Sequence, residues 1–86
     1  MPEISRFYGI VIMMFYKDHL PPHFHVQYQE FEAVFEIKTL EMIEGSLPNR
    51  AKILAVEWAL LHRKELEENW NRRTNGETLN KIEPLQ

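Results

Sequence analysis

The spacing of apolar and polar residues changes twice along this chain, and each regime predicts a different structure. Residues 7–16, Phe-Tyr-Gly-Ile-Val-Ile-Met-Met-Phe-Tyr, are almost all apolar, β-branched or aromatic. Such a run suits a strand covered on both faces inside a sheet. Residues 17–22 interrupt it with charge and a Pro-Pro pair. Each proline fixes its own φ and pushes the residue before it out of the helical region, so a stiff connector is expected. Residues 23–29 then alternate, with Phe24, Val26 and Tyr28 on one face and His23, His25, Gln27 and Gln29 on the other. Phe31, Ala33, Phe35 and Ile37 resume the alternation, which predicts a hairpin turning at Gln29-Glu30, a turn without the usual glycine. A further short strand is predicted around residues 41–44, ending at Gly45-Ser46.

Beyond Gly45 the pattern becomes helical. Ser46 or Leu47 stands at a capping position, Pro48 suits a first turn, and no further glycine or proline occurs before Gly76. One long helix is therefore expected over residues 47–75, its body from 48 to 73 extending ~39 Å. Its first half carries Ala51, Ile53, Leu54, Ala55, Val56, Trp58, Ala59, Leu60 and Leu61 around most of its circumference, so more than one surface must cover it. From His62 onward it turns polar, with Arg63/Glu67, Lys64/Glu68 and Glu68/Arg72 spaced for ion pairs on a solvated face. In the tail, residues 76–86, Leu79, Ile82 and Leu85 are expected to return as a short edge strand or to dock on a partner. The fold class that follows is α+β: a small antiparallel sheet of three to four strands packed on one long C-terminal helix. Residues 1–86 form one domain, with a β-rich half over 1–46.

Size and composition narrow this picture. A chain of 86 residues buries only somewhat over ~60% of its unfolded surface, so a partner or a second copy would add stability. Apolar residues at 44% are ample for a core. The formal charge of −3 disfavours bulk attraction to nucleic acid, and the basic residues are scattered, with Arg63-Lys64 and Arg72-Arg73 the only adjacent pairs. The absence of cysteine excludes disulfides, thiolate metal sites and thiol nucleophiles, and it suits the cytoplasm. No leader or membrane anchor is read, because the longest uncharged apolar run falls far below the ~20 residues that span a bilayer.

Candidate chemistry concentrates in Asp18-His19-Leu20-Pro21-Pro22-His23-Phe24-His25. On a regular strand His23 and His25 share a face with Cα atoms ~6.5–7 Å apart, within joint reach of one metal ion. His19 or Asp18 could supply a third ligand, giving the pattern of a catalytic zinc or non-haem iron site, with manganese a further candidate. The plainer reading makes these histidines the polar face of a half-buried strand, hydrogen-bonded to backbone. A third reading makes them a contact surface whose charge follows pH. Glu57 lies in the most apolar part of the helix and is either a buried acid–base group or its narrow wet edge. Trp58, with Leu54 and Leu61, reads as core. Trp70, among Glu67, Glu68, Asn69, Asn71 and Arg72, reads as an interface residue or a cap over the tail.

The segments Pro2-Glu3-Ile4, Phe7-Tyr8-Gly9-Ile10, Asp18 through Val26, Gly45-Ser46-Leu47-Pro48 and Glu57-Trp58 resemble the bacterial domain-of-unknown-function 4160 family over nearly the whole chain. The Gln29-Glu30 turn departs from the glycine-containing turn expected there. The resemblance implies a small stand-alone bacterial protein, often encoded beside a second small protein in toxin–antitoxin-like pairs, with no catalytic residues to carry over. The leading expectation is a protein-interaction module that binds a second small protein or itself through Ile53, Val56, Leu60, Trp70, Leu79, Ile82 and Leu85. A metal-assisted hydrolase or nuclease using His19, His23, His25 and Asp18 competes with it, and a nucleic-acid-binding regulator ranks third.

Overall fold

The computed structural model describes residues 2–86. Five strands pair in sequence order as an antiparallel meander: β1 (Glu3–Phe7), β2 (Ile10–Met13), β3 (His23–Tyr28), β4 (Phe31–Glu36) and β5 (Met42–Gly45). The count exceeds the three to four expected because residues 7–16 are not one strand. Tyr8 at φ 49° and Gly9 at φ 80° form a two-residue turn between paired Phe7 and Ile10, the doubly left-handed geometry that matches strand twist. Phe7 at the end of β1 and all of β2 are apolar, so the turn was hidden within the run, with Gly9 its only sign. Residues 14–16 then leave the sheet.

The hairpin at Gln29-Glu30 stands as predicted, with Tyr28 paired to Phe31 and Gln29 taking φ 54° in place of a glycine. β5 also lies where expected, joined to β4 across an irregularity at Val34/Phe35.

The single long helix is replaced by two: α1 (Asn49–Leu61) and α2 (Arg63–Thr74). Pro48 is the N-cap of α1 and makes no side-chain capping bond, so neither Ser46 nor Leu47 serves there. The break falls at His62, at φ −123° and ψ 25°. Its N–H is shared between the carbonyls of Trp58 and Ala59, and its own carbonyl accepts from Leu66 N–H at 2.9 Å. Its ring meets Glu65 Oε1 at 2.6 Å. One residue thus closes a helix and opens the next with neither glycine nor proline, which is why the spacing alone read as continuous.

α1 packs on the sheet through Ala51, Ala55, Trp58 and Ala59, and α2 through Leu66 and Trp70. These join Ile4, Ile10, Ile12, Phe24, Val26 and Phe35 in one core. Alanines on α1 let its axis lie close to the sheet, and Trp58 fills the space between them against Phe7 and Phe24, with ring centroids 5.5 and 6.2 Å away. Each large side chain so buried contributes ~1.5–3 kcal/mol. Leu61, expected beside Trp58 in the core, is exposed instead.

The tail forms no strand. It lies against β1 and the helices through separate bonds: Ile82 N–H to Ile4 O at 2.8 Å, Trp58 Nε1 to Glu83 O at 2.8 Å, and a reciprocal pair between the Asn69 amide and the Asn80 backbone, both 2.9 Å. The three predicted helical ion pairs are not among the contacts of the described residues. Arg63 donates to Ile37 O, Glu68 accepts from Asn80 and Arg72 donates to Thr78 O. Backbone carbonyls and the tail compete successfully for the partners that helical spacing offered.

Candidate functional site

His23 and His25 alternate with the core residues Phe24 and Val26, so they project from the opposite face of the sheet, where the end of α2 reaches His23. There His25 lies in register with Met13 on one side and Val34 on the other. The connector folds back over this face and brings Asp18 to both rings. Asp18 Oδ2 stands 2.9 Å from His25 Nε2 and 3.2 Å from His23 Nε2. The three side chains are mostly shielded, and their ligand-type atoms all lie within 4.8 Å of one another.

Neighbouring side chains hold these rings in place. His23 Nδ1 donates to Pro21 O at 2.7 Å, and the other face of His23 meets Trp70 at 5.2 Å between centroids. Phe15 packs edge-on against His25 at 4.5 Å. Arg73 stacks 3.7 Å above the Trp70 ring and donates to the carbonyls of Tyr16, at 2.7 Å, and Asp18, at 3.2 Å. The end of α2 is thereby clamped to the connector that carries Asp18. The same three residues form one side of a cleft of about 250 Å³, completed by His19, Leu20, Pro21, Val34, Ile43 and Glu44.

Of the four candidate metal ligands, the fold brings together Asp18, His23 and His25. His19 is exposed on the cleft and is not within the cluster, as expected for a residue adjacent to inward-facing Asp18 in extended chain. Sequence reasoning missed Phe15, Trp70 and Arg73 as the walls of this site. A signal was present in Leu66, Asn69, Trp70 and Arg73, spaced i, i+3, i+4, i+7, which is the inward stripe of an amphipathic helix.

The candidate interface residues divide. Trp70 and Ile82 are buried within the chain at 5% and 4% exposure, and Leu79 and Leu85 pack against the core, so these four are engaged inside the fold. Ile53 and Leu60 stay in solvent at 64% and 58%, beside half-buried Val56. With Asn49, Lys52 and Glu57 they line a shallow apolar groove on the outer side of α1. Glu57 is exposed there, as the wet-edge reading required. Among the described residues no helix is long and apolar enough to cross a membrane.

Comparison with known proteins gives a match to one family model, described as a domain of unknown function (DUF4160), over residues 9–71. No curated protein and no solved structure matches the chain.

Proposed function

The chain belongs to the DUF4160 family, a domain of unknown function, and from that premise we propose that it is a protein-interaction module whose docking face is the outer side of α1 and whose partner is a second copy of itself. The observation that carries this reading is the exposure of Ile53 and Leu60, with Val56 between them, on a helix whose opposite side is fully engaged with the sheet. Keeping such side chains in water forgoes ~1.5–3 kcal/mol each, and contiguous apolar surface of this kind commonly marks a contact site.

A second copy suits the geometry because one self-complementary stripe suffices for a two-fold interface. Antiparallel pairing of two α1 helices about Val56 sets Ile53 of one against Leu60 of the other. The polar residues Lys52 and Glu57 then form its rim. The small size of the domain favours the same outcome, since a stable interface supplements a modest core.

Light scattering across a concentration series tests the reading. The wild-type mass should rise from 10.4 kDa towards twice that value, and Ile53→Glu/Leu60→Glu should stay at 10.4 kDa while keeping the native circular dichroism spectrum. A wild-type protein that remains monomeric at millimolar concentration contradicts it.

A further inference from the structure

The docking face leaves the histidine corner unused, and its hydrogen inventory does not close. Pro21 O can only accept, so His23 Nδ1, 2.7 Å away, carries the hydrogen of that ring. A neutral His23 therefore turns the bare lone pair of Nε2 towards Asp18 Oδ2 at 3.2 Å. The same carboxylate oxygen also meets His25 Nε2 at 2.9 Å. Lone pairs aimed at one point from an imidazole and a carboxylate repel unless a cation stands between them, and either a second proton on His23 or a metal ion can supply it.

The spacing fits a metal ion in that role. With ligand bonds of ~2.0–2.1 Å, the donor atoms of a tetrahedral zinc site stand about 3.3 Å apart. The two nitrogen–oxygen separations at Asp18 Oδ2, 2.9 and 3.2 Å, are close to this edge length, while the third edge, between the two rings, is bounded at 4.8 Å and would close by a small ring movement on binding. Around His23 the surroundings also match what a metal site requires. A backbone carbonyl on the far nitrogen of His23 fixes its tautomer and aims Nε2 as a ligand, the usual outer support of a metal-bound histidine. Trp70 and Phe15 hold the two rings by packing, and Arg73 anchors the connector at the Asp18 carbonyl. His25 Nδ1 is buried without a partner, so His25 is held by packing and by its Nε2 contact alone.

We infer that Asp18, His23 and His25 bind one divalent transition-metal ion of the zinc and iron(II) class, with its open coordination positions facing the cleft walled by Leu20, Pro21, Val34 and Ile43. Two imidazole nitrogens and one carboxylate oxygen suit these ions and leave room for water or a small exchangeable ligand. The cleft of about 250 Å³ gives that ligand access from solvent. His19 and Glu44, on the cleft wall, are placed to contact the ligand and not the metal.

Titration of the untagged full chain with zinc chloride, followed by calorimetry and by imidazole nitrogen NMR, tests the inference. One zinc ion per chain is expected, with shifts confined to the rings of His23 and His25 and with those of His19 and His62 unmoved. Asp18→Asn and His25→Gln should each weaken binding by at least about tenfold, and Lys38→Ala, exposed outside the cleft, should leave it unchanged. Should a variant fail to fold, the wild-type NMR pattern decides alone. Absence of zinc binding by the folded wild-type protein, or shifts that fall on His19 or His62 instead, overturns the inference.

Discussion

At Gly45 the backbone takes φ 81°, and a Cβ built there would lie 2.8 Å from Ala33 Cα and press on the Glu32 carbonyl oxygen. Backbone cannot withdraw as a flexible side chain can, so Gly45→Ala should destabilise the domain by about 2–4 kcal/mol in urea unfolding. A different single-residue effect operates at Glu3, on the edge of the sheet. The hydrogen bond from Arg6, at 2.8 Å, and then its charge hold the Glu3 carboxyl below its ordinary value. A lowered folded value means that the pair stabilises the fold above the ordinary carboxylate range and loses that effect as pH falls through the folded value. Arg6 is exposed and Glu3 half-buried at the sheet edge, where water screens the pair, so the contribution is small. Arg6→Ala should raise the Glu3 titration midpoint towards the ordinary value, as read by carboxyl NMR.

Among the elements, those with a clean period were legible in the chain. β3 alternates cleanly and β4 nearly so, with Val34 the exception, and their positions to within a residue and their turn came out of the spacing. β1 and β2 did not, because the apolar run over residues 7–13 carries no period and an irregularity between Glu3 and Ser5 breaks the alternation of β1. The division into α1 and α2 was hidden for the opposite reason: no glycine or proline stands near His62, and the break shows only in its backbone angles. The tail shows the cost of judging burial by composition. Leu79, Ile82 and Leu85 lie among polar residues, yet Ile82 is part of the core and Glu83 supplies the acceptor for the buried Trp58 indole. Removing residues 79–86 should cost at least about 3 kcal/mol, from the loss of Ile82 burial and of the bonds to Trp58 and Asn69. For a domain of this size that corresponds to a melting temperature lower by roughly 12–24 °C. An unchanged melting curve would show the tail to be dispensable.

For the molecule as a whole, the histidine corner and the α1 stripe are built from separate sets of residues, and they were legible to different degrees. The pairing of His23 with His25 follows from strand periodicity alone. The choice of Asp18 over His19 does not, because it depends on how residues 14–22 fold back over the outer face and on the grip of Arg73 upon their carbonyls. On α1, the sequence showed too much apolar surface for one sheet, and the fold separates what the core takes, Ala51, Ala55, Trp58 and Ala59, from what is left outside, Ile53 and Leu60. The account therefore assigns association to one set of residues and coordination chemistry to the other. Amide NMR spectra recorded on dilution from millimolar to micromolar concentration test that assignment most directly. Shifts concentrated on Asn49, Lys52, Ile53, Val56 and Leu60, with Asp18, His23 and His25 unmoved, are the predicted result. Spectra that do not change on dilution, or changes centred away from α1, would contradict it.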